Sequence, residues 1–328
     1  MAGCVAEGAV LVVTYPIVGQ IRRLSSKLDA VIAPDAEIQQ LADGFIWSEG
    51  PVWVRDGGYL VFSDVPGNVM YRWSEADGVS EFLNPSGYAG PPTDAFAEPG
   101  SNGLALDGAG DLLVCDHGNR ALAKVDLKTR AKTILLDRYE GARFNSPNDL
   151  AVAKSGAIYF TDPTYGLKGR NASPLRELDF SGVYRWTRGG ALELLDAELT
   201  FPNGIALSQD ERRLYVSVSD PKAPKLVVYD LGADGLPTSK AVFFDAMPLR
   251  EAGGLGLPDG LCLDTDGRLY VTGPGGVLVL TPDAELVGVI ETGAAVANCA
   301  FGEDGQTLFL ASNHTLARVR LKTTGLVW

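Results

Sequence analysis

Five oxygen-bearing side chains occupy the same place in five similar stretches of the sequence. Each precedes a turn residue and a short apolar run, and the five are Glu49, Asn102, Asn148, Asn203 and Asp259. Two carboxylates and up to three amide carbonyls, with no thiolate or imidazole among them, form a hard-oxygen ligand set. Ca²⁺ prefers such ligands, and Mg²⁺ or Mn²⁺ accept them. The repeated position predicts a site for one divalent cation, provided that the fold brings the five together.

The alternative interpretation of each stretch is a simple turn. Asn-Gly and Asp-Gly pairs start strands for conformational reasons alone. The preference of Asn-Gly and Asp-Gly pairs for turns does not explain Glu49, however. Isolated turns also do not require an oxygen-bearing side chain at the same position of five stretches. The five together therefore favour a ligand site.

The elements that must position these side chains are β-strands. From about residue 36 onward, β-branched and aromatic runs alternate with polar Gly or Asp turns, as at residues 59–63, 158–161 and 269–272. Each repeat reads as a first strand that is followed by a second, a third and usually a fourth. Four-stranded units that recur roughly every 50 residues indicate a β-propeller.

The predicted fold class is all-β, a six-bladed β-propeller over residues 36–328. The sixth unit contains only three strands, and residues 37–43 are expected to supply its outer strand, so that the N-terminal strand closes the ring. Residues 1–35 are expected to be an arm packed on the propeller or the remnant of a signal peptide. The apolar run at residues 9–18 is too short to span a bilayer.

Composition excludes several classes of protein. The chain has 328 residues and a net charge of −13, which argues against nucleic-acid binding and would concentrate cations in an acidic cleft. No membrane span is expected, and the body is predicted to be soluble, in the cytoplasm or periplasm, as a monomer or homodimer. The four cysteines lack CxxC spacing and are interpreted as small buried hydrophobes.

In a propeller, the repeated residues of different blades come close together at one site. The first strand of each blade lines the central channel, so the five repeated residues should meet at one mouth. The sixth unit places Ala297 at the equivalent position, and Asn298 is offset by one residue and should face the other way. Second strands return to the same mouth, where a polar rim is expected from Asp64, Asp116, His117, Asp162 and Asp220.

Several motifs together resemble the SMP-30/gluconolactonase/LRE family, and within it the bacterial gluconolactonases. They are Glu49-Gly50-Pro51-Val52-Trp53, residues 143–149, Phe201-Pro202-Asn203-Gly204, Pro258-Asp259-Gly260 and residues 298–302, and the resemblance covers residues 36 to 325. It implies a six-bladed propeller, one divalent metal ion at the channel mouth and hydrolysis of sugar lactones. By motif position, it implies that the metal ligands are Glu49, Asn148, Asn203 and Asp259.

The expected reaction is the opening of gluconolactone-type aldonolactones, with a divalent ion polarising the carbonyl and Asp259 as general base. Ca²⁺ is the expected ion, with Mg²⁺, Mn²⁺, Zn²⁺ and Fe²⁺ as alternatives. In animal members of the family an Arg contacts the sugar two residues before a ligand Asn, and Ser146 stands there in this chain. The candidate substrate-binding residues are Asn102, His117, Ser146, Asp162 and His314.

Other interpretations stay open. His117 could bind a sugar hydroxyl or transfer a proton, or it could merely hydrogen-bond its neighbours, and the same applies to His314. The same metal site could hydrolyse organophosphate esters, or the propeller could be a binding scaffold without enzymatic activity. A serine hydrolase is disfavoured, because the sequence contains no Gly-x-Ser-x-Gly motif and only two histidines.

Overall fold

Antiparallel β-strands form nearly all of the regular secondary structure in the described part of the chain, since its β-branched and aromatic runs fit pleated sheets. The computed structural model describes residues 14–326. Over that range the strands form six sheets of four or five strands and one small hairpin. The predicted six-bladed β-propeller is therefore confirmed.

Two early strands, β1 (Gln20–Arg23) and β2 (Ile38–Asp43), join blades formed by the end of the chain. The first blade contains β3 (Ser48–Val54), β4 (Tyr59–Asp64), β5 (Val69–Ser74) and β6 (Gly78–Leu83). The second contains β7 (Ser101–Leu106), β8 (Leu112–Asp116), β9 (Ala121–Val125) and β10 (Lys132–Leu136). A hairpin of β11 (Arg138–Tyr139) and β12 (Ala142–Arg143) leads to the third blade.

The remaining blades follow the same order. The third contains β13 (Leu150–Val152), β14 (Ile158–Asp162), β15 (Gly182–Trp186) and β16 (Leu192–Asp196). The fourth contains β17 (Pro202–Leu207), β18 (Arg213–Val218), β19 (Lys225–Leu231) and β20 (Pro237–Asp245). The fifth contains β21 (Leu261–Leu263), β22 (Leu269–Gly273), β23 (Gly276–Leu280) and β24 (Leu286–Glu291), and the sixth contains β25 (Asn298–Gly302), β26 (Thr307–Ser312) and β27 (Thr315–Arg320). Short helices lie at Ser26–Ala30, Arg55–Gly57, Arg170–Ala172 and, as α1, Met247–Glu251.

The N-terminal segment packs on the last two blades. Strand β2 pairs antiparallel with β27, so it forms the outer strand of the sixth blade, and β1 pairs with β24 as a fifth strand of the fifth blade. Leu28, Val31 and Ile32 are fully buried in the same core cluster as residues of these blades. The part of the predicted arm from residue 20 onward is thus bound to the propeller. A signal remnant at residues 1–13, like Cys4, lies outside the described residues.

The core lies between neighbouring blades. Trp53 of the first blade stacks on Phe309 of the sixth, with ring centroids 5.6 Å apart and an angle of 15° between the planes. Burying one such aromatic side chain contributes about 1.5–3 kcal/mol. Packing of this kind joins the first blade to the last and fixes the inner strands around the channel. The described chain contains no helix that is long and apolar enough to cross a membrane.

Candidate active site at the channel mouth

Backbone contacts between blades hold the repeated residues at equivalent places. The N–H of Gly103 donates to the carbonyl of Asn148 at 2.8 Å, and the N–H of Gly260 donates to the carbonyl of Ala297 at the same distance. Hydroxyl groups of second strands add a further bond, since Thr161 Oγ1 donates to the carbonyl of Asn203 at 2.6 Å. The prediction that Ala297 is the sixth member of the ring is confirmed.

A glycine follows four of the five ring residues, Asn148 being the exception, and permits the blades to approach closely. A Cβ on Gly50 would lie 2.2 Å from the carbonyl oxygen of Asn102, and a Cβ on Gly204 would lie 2.2 Å from that of Asp259. Such distances are shorter than any non-bonded carbon–oxygen contact. These glycines are therefore required by contact between blades, and the interpretation of each stretch as an isolated turn is insufficient.

The predicted metal ligands lie at one end of the channel. Glu49, Asn148 and Asn203 are at most 5% exposed, and Asp259 is half-buried. The side chain of Asn203 hydrogen-bonds to the carboxylate of Asp259, and the charge of Glu49 acts on the same carboxylate. The fold therefore brings together side chains that are widely separated in the sequence.

The carboxylates of this group are buried close to one another, and both effects raise their pKa values. Burial raises the pKa of Glu49 to about 8, and the negative charge of Asp149 adds to the effect. Burial, then the charges of Glu49 and Asp149, also raise the pKa of Asp259 well above its usual range. A cation bound between these groups would remove the repulsion and favour their ionised forms.

The donor atoms fit a hard divalent cation. Asp259 Oδ1 is buried and has no hydrogen-bond partner among the described residues. The Nδ2 group of Asn203 donates to Ser219 Oγ at 3.0 Å, which leaves its carbonyl oxygen as the available donor atom. Residues 14–326 contain no cluster of three or more His, Cys, Asp or Glu that could hold a metal ion. An ion at this mouth would therefore depend on amide oxygens as well as carboxylates.

Two residues on the channel side of the ring were missed by sequence reasoning. Asp149 is 8% exposed, and burial raises its pKa to about 7. The side chain of Asn298 hydrogen-bonds to both Asp149 and Glu49, so the prediction that Asn298 faces away from the site is wrong. Strand β3 has a register shift after Glu49, whereas the pairing of β25 is regular from Asn298 onward. A bulge changes by one which residue faces the channel.

Two loops outside the strand repeat each contribute a further polar group. Residues 84–100 join β6 to β7 and reach the third blade, where Ala97 N–H donates to Gly166 O at 2.9 Å. Glu98 of this connection exerts charge on both Glu49 and Asp259. Tyr165 lies nearby and hydrogen-bonds to Ser219. Neither Glu98 nor Tyr165 belongs to the strand repeat, so the repeat could not identify them.

His117 lies behind Asn102 and not on the wall of the mouth. The imidazole is fully buried, with Nε2 3.3 Å from Asn102 Nδ2 and Nδ1 3.3 Å from Glu98 Oε2. The structure thus does not place His117 where it could touch a substrate directly. Its contacts orient the amide of Asn102, which is itself 3% exposed.

Ser146 and Asp162 support the loop that carries Asn148. Both are fully buried, and the Asp162 carboxylate accepts hydrogen bonds from the N–H groups of Asn145 and Ser146, each at 2.8 Å. Ser146 Oγ donates to Pro163 O at 2.7 Å and accepts from the N–H of Gly166. The structure therefore does not place Ser146 and Asp162 on the surface of the mouth, because both are buried and their polar atoms are bonded inside the loop.

The predicted polar rim is wrong for Asp64 and Asp116 for the same reason. Asp64 accepts hydrogen bonds from the N–H groups of Ile46 and Trp47, each at 3.0 Å, and Asp116 accepts one from the N–H of Asn119 at 2.9 Å. These carboxylates hold loops and are buried. His314, by contrast, is exposed in the turn between β26 and β27, with Nδ1 2.9 Å from Phe45 O.

Known proteins resemble this chain in fold and in sequence. The model of the SMP-30/Gluconolactonase/LRE-like region matches residues 47–314. A gluconolactonase of Zymomonas mobilis subsp. mobilis is 46% identical over 312 residues, which cover 94% of this chain and 88% of the relative. The solved structure of a gluconolactonase from Xanthomonas campestris superposes with a TM-score of 0.79 and 33% identity, covering 95% of this chain and 99% of the other.

A more distant relative carries a different activity in its name. Diisopropyl-fluorophosphatase of Loligo vulgaris is 26% identical over 249 residues, covering 72% of this chain and 75% of the relative. The match of the family model and the 46% identity decide the assignment. The chain belongs to the SMP-30/gluconolactonase/LRE family.

Proposed function

We propose that this protein is a metal-dependent lactonase that opens gluconolactone-type aldonolactones to aldonic acids. The observation that carries the proposal is the channel mouth, where Glu49, Asn203 and Asp259 converge and Asp259 Oδ1 has no partner among the described residues. The 46% identity to a gluconolactonase supports the same substrate class.

The ion would be held by Glu49, Asn148, Asn203 and Asp259. Ca²⁺ is the proposed ion because carboxylate and amide oxygens at adaptable geometry are its usual ligands, and Mg²⁺, Mn²⁺, Zn²⁺ and Fe²⁺ are the alternatives to test. When bound, the ion supplies positive charge against the oxyanion that forms as water adds to the lactone carbonyl.

Asp259 is the proposed general base. The hydrogen bond from Asn203 fixes the carboxylate, which has two oxygens, so that one can face the ion while the other accepts a proton from the attacking water. Water then forms a bond to the carbonyl carbon, the bond from that carbon to the ring oxygen breaks, and the proton passes to the ring oxygen as it becomes a hydroxyl group. No covalent intermediate with the protein is needed.

Asn102 is the proposed contact to a substrate hydroxyl. His117 accepts from its Nδ2 group, so the carbonyl oxygen of Asn102 is the atom left to accept a hydrogen bond. His314 is proposed as a second contact because it is exposed in a turn beside the first-blade loop. Glu98 and Tyr165 lie near Asp259 and add polar groups to the mouth.

A panel of five- and six-membered aldonolactones tests the proposal, since ring opening releases acid that a pH indicator detects. Turnover is expected with at least one aldonolactone in the presence of a divalent ion and is expected to stop on addition of EDTA. If no lactone opened faster than in buffer with any of the five ions, the lactonase proposal would be refuted.

An organophosphate hydrolase is the second candidate, favoured by the likeness to diisopropyl-fluorophosphatase. A phosphoryl oxygen would then take the place of the lactone carbonyl at the same residues. Comparing kcat/KM for an aldonolactone and for a fluorophosphate ester decides between the two. A binding scaffold without activity would turn over neither substrate.

A further inference from the structure

The end of the channel opposite the ring contains a cavity of about 480 Å³. Apolar residues of the inner strands form its walls, including Trp53, Leu106, Val152 and Phe301. Gly108 and Gly156, in the turns after the inner strands, are exposed at its rim. Asp149 and Asn298 also line it. The cavity is therefore open to solvent at the second mouth and reaches the underside of the ring.

Two thiols meet on the wall of this cavity. Cys262 of β21 and Cys299 of β25 belong to neighbouring blades, and their Sγ atoms are 3.6 Å apart. Both are free thiols and both line the cavity. Cys115, in contrast, is fully buried in β8 and does not line it. The repeat places the two cysteines in different units, so their meeting could not be predicted from the strand pattern.

We propose that Cys262 and Cys299 form a dithiol site for trivalent arsenicals that carry one organic group. Two bonds of about 2.3 Å from one soft atom to sulfurs 3.6 Å apart enclose an angle of about 103°. That angle suits a pyramidal or tetrahedral centre. A linear two-coordinate ion would require sulfurs about 4.6 Å apart, so the observed spacing disfavours it.

The number of protein groups available further restricts which atom the two thiols can bind. Structural zinc requires four ligands, and the described part of the chain has no cluster of three or more His, Cys, Asp or Glu that could hold a metal ion. An arsenic atom with one organic substituent needs only two thiolates. The apolar cavity wall beside the thiols can accommodate that substituent.

The binding step needs no oxidant. An arsenoxide, R–As=O, reacts with two S–H groups, so that two As–S bonds form and the oxygen leaves as water with both protons. A disulfide would instead require the sulfurs to approach to about 2.04 Å and an acceptor for two electrons. Burial and the neighbouring Cys299 raise the pKa of the Cys262 thiol, which keeps it protonated and slow to oxidise at neutral pH.

Intact-mass spectrometry with phenylarsine oxide tests the site on the full chain carrying Cys4→Ser and Cys115→Ala. One phenylarsenic group should replace two hydrogens. The adduct should survive excess monothiol, be removed by a 1,2-dithiol, and be indifferent to EDTA, since the metal mouth is at the other end of the channel. Adding Cys262→Ser or Cys299→Ser should abolish retention in monothiol.

Two results would overturn the proposal. One is an adduct that either single serine variant retains equally well in monothiol. The other is no adduct on the folded protein while the unfolded chain takes one. Wild-type protein provides a check that does not depend on the folding of the variants. Arsenical should protect Cys262 and Cys299 from alkylation in peptide maps, and protection of Cys4 or Cys115 instead would also contradict the site.

Discussion

The Nε2 atom of His117 lies 3.3 Å from the Nδ2 atom of Asn102, inside the second blade. The imidazole is fully buried, and its other nitrogen faces Glu98. This arrangement makes the histidine a positioning residue for the amide in the ring. Its effect on the reaction should therefore be exerted through Asn102.

Replacing His117 by alanine should lower kcat/KM for an aldonolactone by about 10-fold, the equivalent of one hydrogen bond. Asn102→Ala should have a similar or larger effect. Because both changes disturb one contact, the double variant should be no worse than Asn102→Ala. Additive losses would show that His117 acts on the substrate independently. The comparison requires only steady-state kinetics of the three variants.

Replacing Asp259 by asparagine should reduce kcat about 10²- to 10⁴-fold at saturating metal, since the general base is lost. Asp220→Asn is the matched control, because the Asp220 carboxylate accepts a hydrogen bond from the N–H of Lys222 and is not in the ring. Metal titration separates weaker ion binding from the chemical step. Near-normal kcat at saturating ion would eliminate Asp259 as the base.

Replacing Gly204 by alanine should destabilise the fold and weaken metal binding, because the new Cβ would lie 2.2 Å from the carbonyl oxygen of Asp259. We expect a loss of about 1–3 kcal/mol in the free energy of unfolding. Gly108→Ala is the control, since a Cβ there meets no atom within 4 Å. Denaturant unfolding and calorimetric metal titration measure the two effects. Equal behaviour of the two variants would argue against the close approach of the blades.

Metal-free protein should lose stability as the pH rises from about 4 to 8. Burial raises the pKa of Glu49 from 4.5 to about 8 and that of Asp149 from 3.8 to about 7, so the folded protein holds more protons than the unfolded chain across this window. Stability must then fall with pH. We expect Tm in EDTA to drop by about 5 °C or more between pH 5 and pH 8.

A divalent ion should oppose that loss, because it favours the ionised carboxylates. The increase in Tm on adding the ion should therefore be greater at pH 8 than at pH 5. An increase that did not depend on pH would place the ion away from Glu49 and Asp149. Melting curves at both pH values, with EDTA or with ion, provide the comparison.

The sequence predicted the blades and the ring because both repeat. Strand periodicity and the repeated position at the start of each first strand predicted Glu49, Asn102, Asn203 and Asp259 at one mouth, and in the structure Glu49 and Asn203 lie near Asp259. A sequence repeat identifies only those residues that occur at the same position in several units. Glu98 lies in a connection that a single unit possesses, and Asp149 occupies a place that glycine takes after the other four ring residues, so neither could be found in this way.

Other errors arose because polar side chains were expected to be exposed to solvent. The carboxylates of Asp64, Asp116 and Asp162 were expected at a solvent-facing rim, but each is buried and binds the N–H groups of a nearby loop. Loops that connect blades leave backbone donors without strand partners, and a buried carboxylate satisfies them. Only the folded chain shows which donors need such a partner. The same holds for the meeting of Cys262 with Cys299 across two blades.

Turnover as a function of metal occupancy tests the central claim most directly. Protein dialysed against EDTA should open no aldonolactone faster than buffer, and activity should return in proportion to the ion bound, reaching its maximum at one ion per chain. Glu49→Gln should require a higher ion concentration for the same activity, because it removes one of the two carboxylates. Full activity in protein shown by elemental analysis to contain no divalent ion would contradict the account.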